Sequence, residues 1–525
     1  MLQLIFGRSG SKREDRIIRD IGDRVGLRHC LFIVPDQFTV RTEQKLIEEL
    51  GPRSSLWAEV VGFSRLPEFV FARLGGRAAR HLTEGGARIL LSGALGAVAG
   101  ELDYYRGAAQ RQGFIEELTN QLRELAANRA TGERLFEAAE KLKDDDLAAK
   151  LRDLALIGAA YEAAGERSVR VGEYALDAAR ELCEKDNIFS EYDIFFDHFK
   201  RFTPQEYEML EVMLASGTYV EVGLTCERGR RCKTELDLFY LPYKTAERLK
   251  ELAASCGQGT APDIEEKVTE IFRPDIAALE ERLFAVPARP LTALAENIRI
   301  VEAQTEYEEL EFIASQIRRL AADEGYRWRD FAVITRRSRM TSGLVDAVFK
   351  RYEIPAQLDT RAELSVFPLM TLIFAAFDAV RGGYTYTDMF RYLKTGLAGL
   401  SIQRTDALER YCYAWNIRGS AWRRPFSLHP DGYNAAVTRR SRAMLRLMNR
   451  WREDVTAPLA EFEKAMGRGG AGHISKAVYD LLIRLRVPEQ LLSIAGEMPQ
   501  AAAQLYRQFW DAVIDLLDDM ADIAD

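Results

Sequence analysis

The stretch LQLIFGRSGSKREDRIIRDI, residues 2–21, decides the fold of this chain. It begins with a run of apolar residues, continues through a glycine-containing turn, and ends in the apolar spacing of an amphipathic helix. A strand, a glycine turn and a helix in this order are typical of a phosphate-binding loop, in which N–H groups at a helix N-terminus surround a phosphate. An ordinary strand–turn–helix connection has the same outline, so the residues inside the turn must distinguish the two.

Short apolar runs bounded by turn residues continue beyond this stretch. CLFIVP (residues 30–35) and AEVVGF (58–63) predict two more buried strands, with a helical segment at 12–26 between the first two strands. Strands return at YDIFFDHF (192–199) and YVEVGLTC (219–226). This strand–helix–strand spacing predicts a parallel sheet in an α/β fold.

Helical segments interrupt this α/β unit and follow a second one. Residues 84–185 are rich in Ala, Leu and Glu with helical periodicity, which predicts an inserted helical block. The proline-containing stretch 285–294 is a linker, and IRIVEAQ (298–304) and FAVITRR (331–337) predict strands of a second α/β unit. We therefore predict a first α/β domain at 1–80 plus 186–285, a helical insertion at 81–185, the start of a second α/β domain at 296–368, and a second helical insertion at 369–525.

The second α/β unit supplies few strands after Arg337, and a sheet that small is poorly buried. One explanation is that later strands lie beyond residue 525, and the other is that helices cover the small sheet. We favour the first, and interpret the chain as part of a longer protein.

The composition excludes several classes of protein. Apolar residues make up 47% and charged residues 29% of the 525, so the chain can bury sizeable cores. A net charge of −8 argues against a generally basic nucleic-acid coat but leaves DNA binding in a local groove open. The six cysteines include no C-x-x-C pair, which argues against a zinc or iron–sulfur site in this chain. We also expect no signal peptide and no membrane span, because no run of about 18 apolar residues occurs.

The residues of this turn differ from those of a functional phosphate-binding loop at the positions that bind phosphate and metal. Such a loop reads G-x-x-x-x-G-K-[S/T], with the lysine on the β and γ phosphates and the hydroxyl on Mg²⁺. Counted from Gly7 without a gap, Lys12 replaces the second glycine, Arg13 the lysine and Glu14 the hydroxyl residue. A shift by one residue places Lys12 at the lysine position but shortens the loop. We prefer the ungapped alignment, because it keeps the helix's apolar residues at their usual distance from Gly7: Ile17, Ile18 and Ile21.

Motifs along the whole chain carry a family resemblance. In sequence and order, four of them resemble AddB, the second subunit of the bacterial AddAB helicase–nuclease: FGRSGSKRED (6–15), IVPDQFT (33–39), VVGFSRLPEFVF (60–71) and IFFDHFKRFTPQE (194–206). The resemblance covers essentially the whole chain, because it continues through RIVEAQTEYEELEFIASQIRRLAADEGYRWRDFAVITRR (299–337), YEIPAQLDTRAELSVFPLM (352–370) and YCYAWNIRGSAW (411–422).

The resemblance implies the architecture of a UvrD-like, superfamily-one helicase. Its P-loop NTPase-like parallel sheets carry large helical insertions, so the four predicted regions correspond to RecA-like domain 1A, insertion 1B, the start of RecA-like domain 2A, and insertion 2B. Members of the family end in a RecB-like nuclease domain with four iron–sulfur cysteines. This sequence stops before that domain, so we expect an N-terminal portion without the 4Fe–4S cluster and without catalytic activity.

The resemblance also implies a nucleotide site that has lost its chemistry. The family loop reads like G-R-S-G-S-G-K-T, and Asp197 matches the Mg²⁺-associated aspartate of helicases. His198 replaces the glutamate that would activate water. Arg336 matches an arginine that approaches the γ-phosphate, or is a surface charge after a strand. We therefore predict no catalytic or metal-binding residue, expect no ATP–Mg binding, and assign a degenerate nucleotide site to Gly7, Ser9, Gly10, Ser11, Lys12, Arg13, Asp197 and Arg336.

DNA handling is the family function that these losses leave intact. In the family, the helicase-like half grips the 3′-ended strand and scans for the hotspot sequence Chi. The residues carried over to this role are Gln37, Thr39, Phe63, Arg65 and Phe199. Aromatic faces stack on unpaired bases, and an arginine binds a phosphate or a guanine edge. Two alternatives stay open, because Phe63 is equally well explained as a core residue and Thr39 as the cap of a helix starting near Val40.

We therefore expect a motor-inactive, DNA-binding part of an AddB-type subunit in the bacterial cytoplasm. It would work with an AddA subunit on single- and double-stranded DNA ends, in double-strand break repair by homologous recombination, with no membrane partner. One alternative is an active, DNA-stimulated ATPase that uses Lys12. The other is a scaffold that only docks AddA.

Overall fold

The structure, a computed structural model, describes residues 1–525 except 76–83, 109–110, 169–174, 230–231, 233, 268–272, 285–286, 288, 293, 337, 357–366, 434, 468–469, 499 and 525. The described chain forms two compact units. One comprises residues 1–271 with 458–525, and the other comprises residues 272–457. The domain boundaries predicted from the sequence stay predictions.

A six-stranded parallel sheet lies at the centre of the first unit. Its strands are β1 (Leu2–Phe6), β2 (His29–Ile33), β3 (Ala58–Val61), β4 (Tyr192–Phe196), β5 (Val220–Leu224) and β6 (Ile264–Glu265), in the order β3-β2-β4-β5-β1-β6. Every pairing is parallel, with Phe6 opposite Leu224 and Ile33 opposite both Val61 and Phe196. The prediction of a parallel α/β sheet is confirmed, and only the short β6 lacked an apolar run to reveal it.

Helices cover both faces of this sheet, which is why its central strands are mostly apolar. On one face, α1 (Arg13–Gly22) and α2 (Thr39–Leu50) pack over Ile5, Phe32 and Phe195. The opposite face, with Leu4, Ile33, Phe196 and Val222, packs against α3 (Leu66–Leu74), α8 (Ala175–Lys185), α9 (Pro204–Ala215) and α10 (Tyr240–Ser255). Thr203 and Glu206 form a capping box at the start of α9, which accounts for its sharp beginning.

The segment between β3 and β4 also carries a helical layer with its own core. Its helices are α4 (Glu84–Val98), α5 (Gln112–Ala127), α6 (Gly132–Lys141) and α7 (Asp145–Ser168). Buried leucines and Tyr161 fill the space between them. The C-terminal helices of the chain belong to the same compact unit: α18 (Ala471–Arg484), α19 (Val487–Gly496) and α20 (Gln500–Ala524). Helix α20 packs on α4, and α18 and α19 pack against α20.

The second unit is helical in its described residues. Its helices are α11 (Pro274–Arg282), α12 (Glu306–Asp323), α13 (Ser338–Arg351), α14 (Pro368–Arg381), α15 (Tyr386–Leu393), α16 (Ile402–Ala414) and the first part of α17 (Arg439–Met466). Short 3₁₀ turns at Trp328–Asp330 and Gly419–Arg423 connect some of them.

The strands predicted at 298–304 and 331–337 do not form in the described part of this unit. These segments run without ladder hydrogen bonds, and the side chains of Ile300 and Ile334 are 97% and 94% exposed. A strand needs a neighbour to satisfy its backbone N–H and C=O groups. Neither segment has such a neighbour among the described residues, so the apolar patterning alone does not produce a sheet. The second sheet and a UvrD-like arrangement stay predictions.

No helix in the described ranges combines the length and apolar character needed to cross a membrane.

Candidate functional site

The glycine-containing loop and Asp197 meet at one edge of the sheet. Residues after β1 and after β4 emerge at the carboxyl ends of parallel strands, with β5 between them. In open α/β sheets, ligands bind in the crevice outside these carboxyl ends. The sheet therefore brings together two segments that are 184 positions apart in sequence.

The loop itself is tightly closed. Its Ser11 N–H donates to the Arg8 carbonyl at 3.1 Å, and Gly10 has a φ of +79°, which favours glycine. A Cβ atom at Gly7 would overlap the Ser11 hydroxyl. One amide that would face a phosphate in a working loop is thus bonded within the loop, and a side chain at position 7 would force Ser11 to move.

The Arg13 side chain is buried between the loop and the ends of β4 and β5. Its Nε donates to Asp197 Oδ1 at 2.9 Å, and one terminal nitrogen donates to the Thr225 hydroxyl at 2.8 Å and the Gly7 carbonyl at 3.2 Å. Both partners of the ion pair are buried, since the side chains of Arg13 and Asp197 are 9% and 0% exposed. The guanidinium thereby neutralises Asp197, the residue that the resemblance matches to the Mg²⁺-associated aspartate of helicases.

Lys12 points elsewhere. It is exposed and makes no ion pair with any described residue, whereas the Arg13 side chain is buried beside Asp197. The buried face of α1 holds Ile17, Ile18 and Ile21, each 0% exposed. This geometry favours the ungapped alignment of the loop over the shortened one that would use Lys12. Ser9, another residue assigned to this site, is also exposed.

Glu14 stands at the position of the metal-binding hydroxyl and has its own partners. The Lys45 ammonium donates to Glu14 Oε2 at 2.8 Å, and His198 Nε2 lies 3.4 Å from Glu14 Oε1. Burial acts to raise the pKa of Glu14, but the hydrogen bonds with His198 and Lys45 outweigh it and lower that pKa to about 2. Glu14 is therefore a carboxylate beside the space that a triphosphate would need, and it would repel one.

His198 is held by packing and backbone geometry. It has a φ of +66°, unusual for a non-glycine residue, and its ring stacks on Phe38 with centroids 4.7 Å apart. Its backbone N–H donates to Asp197 Oδ1 at 2.8 Å. These contacts explain the presence of His198 by its role in stabilising the local structure.

The residues of this loop do not fit ATP–Mg²⁺. Mg²⁺ is usually held by carboxylate, hydroxyl and water oxygens in an octahedron, and here Asp197 Oδ1 is bonded to an arginine. The other oxygen, Asp197 Oδ2, is buried without a hydrogen-bond partner among the described residues. A single carboxylate oxygen beside a fixed guanidinium is a poor metal site. Across the described ranges, no group of three or more His, Cys, Asp or Glu side chains is placed to hold a metal ion.

Arg336, assigned to the same site from the resemblance, belongs to the other compact unit. It is exposed and makes no ion pair within the described part of the chain. Its proposed approach to a γ-phosphate stays a prediction.

The candidate DNA-binding residues follow three adjacent strands, β3, β2 and β4. Gln37 and Arg65 are exposed, and the Ser64 hydroxyl donates to Asp36 Oδ1 at 2.6 Å, which ties the two loops together. Thr39 is the first residue of α2, and its hydroxyl donates to the Asp36 carbonyl at 2.9 Å. Thr39 thus stabilises the turn before the helix without capping α2 from outside.

The two aromatic candidates have different surroundings. Phe63 is 9% exposed and packs among three other phenylalanines, Phe196, Phe199 and Phe202, at centroid distances of 5.6–6.2 Å. Phe199 is partly exposed and lies 4.8 Å from Phe202. The geometry gives Phe63 the role of a core residue that supports Phe199, and leaves Phe199 as the ring with an open side.

Several contacts at this edge were not identified from the sequence. Thr225 and Lys45 contribute directly to the Arg13 and Glu14 networks. Lys200 and Arg201 follow β4 and are exposed. Sequence motifs do not reveal Thr225 and Lys45, because these residues contact partners that are 212 and 31 positions away in the sequence. The sequence alone does indicate positive charge here, because Lys200 and Arg201 directly follow the acidic motif.

Comparisons with known proteins agree with the family resemblance. A family model described as "ADDB, N-terminal" matches residues 4–280. An ATP-dependent helicase/deoxyribonuclease subunit from Clostridium kluyveri (strain NBRC 12016) is 28% identical over 541 residues, covering 99% of this chain and 47% of that protein. The protein of the same name from Desulforudis audaxviator (strain MP104C) is 32% identical over 553 residues, covering 99% of this chain and 47% of that protein. The chain thus spans about half the length of the curated relatives it matches. Because the family model covers more than half of its residues, the chain belongs to the AddB family, whose N-terminal region it contains.

Proposed function

We propose that this chain is a motor-inactive, DNA-binding part of an AddB-type helicase/deoxyribonuclease subunit. It binds the 3′-ended strand at a DNA end and scans it for Chi during double-strand break repair by homologous recombination. It acts in the bacterial cytoplasm together with an AddA subunit that supplies translocation.

The Arg13–Asp197 ion pair is the observation that carries motor inactivity. A nucleotide would have to displace a buried guanidinium that makes three hydrogen-bond contacts, and would leave that charge without its partner. Breaking a buried pair in this way costs about 3–5 kcal/mol. Glu14 adds a negative charge beside the loop, which makes triphosphate binding still less favourable.

The edge formed by the loops after β2, β3 and β4 supports strand binding. Arg65, Lys200 and Arg201 are exposed there and make no ion pair with other described residues. Phe199 offers a ring with an open side, and Gln37 offers an amide that hydrogen-bonds a base edge. Positive side chains that follow the backbone, combined with aromatic stacking, are the usual means of gripping a single strand.

Two measurements on the chain test this proposal. Isothermal titration with ATP and Mg²⁺ is expected to give no saturable binding. Fluorescence anisotropy with a labelled single-stranded oligonucleotide is expected to show binding that weakens as salt rises, since phosphate contacts release counterions.

The opposite outcomes would select the alternatives. ATP turnover stimulated by single-stranded DNA and abolished in Lys12→Ala would reject motor inactivity in favour of an active ATPase. Oligonucleotide binding that is absent, or insensitive to salt, would leave only a scaffold that docks AddA.

A further inference from the structure

Residues 418–452 of the second compact unit concentrate positive charge. They include nine arginines, no lysine and one acidic residue, Asp431, which gives this stretch a net charge of +8 in a chain whose overall net charge is −8. Seven of these arginines are exposed and make no ion pair with any residue that the structure describes: Arg418, Arg424, Arg439, Arg440, Arg442, Arg446 and Arg450.

Four of them form a straight row on α17. Arg439, Arg442, Arg446 and Arg450 are spaced by three, four and four residues, so their side chains leave the same side of the helix. At 1.5 Å per residue the row is about 16 Å long. We call these four residues the arginine face.

The opposite side of α17 is anchored, so the helix backbone that carries the arginine face is held in place. Met448 and Trp451 are buried. The Asn449 side chain accepts from the Phe426 N–H at 2.7 Å and donates to the Phe426 carbonyl at 2.9 Å. A helix fixed in this way presents its charges without the loss of freedom that a mobile segment would suffer on binding.

The position of the charges is unfavourable for the isolated chain. Hydrogen bonds in both directions between Thr438 and Ser441 close the first turn of α17, and this turn contains Arg439, Arg440 and Arg442 but no acidic residue. Cations near a helix N-terminus are repelled by the helix dipole, whereas anions are stabilised there. An anionic partner would remove this repulsion and also the mutual repulsion along the row.

We propose that the arginine face binds the phosphate backbone of double-stranded DNA. Each duplex strand presents a phosphate about every 3.4 Å of helix axis, so the row lies along several consecutive phosphates. Arginine binds phosphate through two parallel N–H donors, and this stretch uses arginine to the exclusion of lysine. The surface lies in a different compact unit from the proposed single-strand site and does not depend on it.

A duplex fits this surface better than a single strand. Single-strand sites add aromatic rings on which unpaired bases stack. The two aromatic residues of α17, Trp451 and Phe462, are 7% and 3% exposed and face the core. The arginine face therefore offers charge and shape but no stacking surface, which suits a backbone whose bases are already paired.

The test compares two triple variants of the chain in duplex binding. Arg442→Gln/Arg446→Gln/Arg450→Gln removes three charges from the arginine face. Arg53→Gln/Arg111→Gln/Arg507→Gln removes three exposed arginines of the other unit, none of which makes an ion pair within the described residues. Fluorescence anisotropy with a blunt 20-base-pair duplex at several salt concentrations gives the affinity and its salt slope, and circular dichroism checks that both variants fold.

The arginine-face variant is expected to lose on the order of 10- to 100-fold in duplex affinity at low salt, and the magnitude of its salt slope should fall by about 2.7, or 0.9 per phosphate contact. The control variant should match the unmodified chain. If the triple variant fails to fold, each single substitution should lower the slope by about 0.9.

Three results would overturn the proposal. One is an unchanged duplex affinity and slope in the arginine-face variant, and another is an equal loss in the control. The third is retained duplex binding with loss of complex formation with AddA, which would make the surface a protein interface. A single-stranded oligonucleotide measured in parallel separates the two sites. Arg65→Ala should weaken only the binding of the single strand, whereas the arginine-face variant should weaken the binding of the duplex.

Discussion

Arg13 Nε lies 2.9 Å from Asp197 Oδ1, which joins the first turn of α1 to the end of β4 inside the crevice where an active relative would hold a nucleotide. The two residues form an internal ion pair where the family resemblance would place phosphate and metal.

Removal of the Arg13 side chain is expected to destabilise the first unit. Arg13→Ala leaves Asp197 buried and charged without a cationic partner, which costs about 3–5 kcal/mol of unfolding free energy. Urea denaturation followed by circular dichroism measures this loss. Lys12→Ala is the matched control: its side chain is exposed, so the change should stay within about 0.5 kcal/mol. Equal stabilities of the two variants would show that the ion pair contributes nothing.

Restoration of the loop chemistry is expected to create nucleotide binding. Lys12→Gly/Arg13→Lys/Glu14→Thr rebuilds the G-K-T ending, releases Asp197 for a metal, and removes the repelling carboxylate. The triple variant should bind a fluorescent ATP analogue in a Mg²⁺-dependent, saturable manner, whereas the unmodified chain should not. Adding Asp197→Asn to the triple variant should weaken the Mg²⁺ dependence. Comparable binding by the unmodified chain would contradict the view that the ion pair closes the site.

The stability of the first unit should decline between about pH 4.5 and pH 7 through Glu221. Burial raises the pKa of this β5 carboxyl from 4.5 to about 7, against the opposing hydrogen bond from the Tyr219 hydroxyl. The folded state thus binds a proton more tightly than the unfolded state. The stabilisation that results is complete below the pKa of Glu221 in the unfolded chain, and it is lost as the pH rises through the pKa of Glu221 in the folded protein. The full decrease in the free energy of unfolding is about 3 kcal/mol.

Glu221→Gln should remove this decline, because a neutral amide carries no proton to lose. Urea midpoints at pH 5 and pH 8 measure the difference for both proteins. Glu101→Gln, at an exposed position, should leave the pH dependence as it is. An identical pH dependence in Glu221→Gln and the unmodified chain would exclude Glu221 as its source.

Arg65 and Phe63 are adjacent in the predicted DNA site but should respond differently to substitution. Arg65→Ala removes an exposed charge, so single-strand affinity should fall and the salt slope should drop by about 0.7, with folding unchanged. Phe63→Ala opens a cavity among packed phenylalanines and should cost about 3–5 kcal/mol of stability. Thermal unfolding and anisotropy on both variants separate the effects. A stable Phe63→Ala protein with selectively lost strand binding would give Phe63 a direct contact instead.

Much of the first unit was predictable from the sequence, because its signals are local. Five apolar runs became β1–β5, and the apolar spacing of Ile17, Ile18 and Ile21 correctly placed the helix relative to Gly7. The unusual residues of the loop were also visible, and they led to the expectation that ATP–Mg²⁺ would not be bound. The segments 298–304 and 331–337 have similar apolar patterning but pair with no described strand, because a strand also depends on a neighbour that local patterning does not supply.

By itself, the sequence determined the parallel α/β framework, the altered phosphate loop and the positive stretch at 418–452, since each is written in neighbouring residues. Only the tertiary structure decided that Arg13 would meet Asp197, that Phe63 would be buried beside Phe199, and that four arginines of α17 would face away from its core. Ion pairing and burial depend on distances between segments far apart in the chain, and those distances exist only after the sheet and its helices have packed.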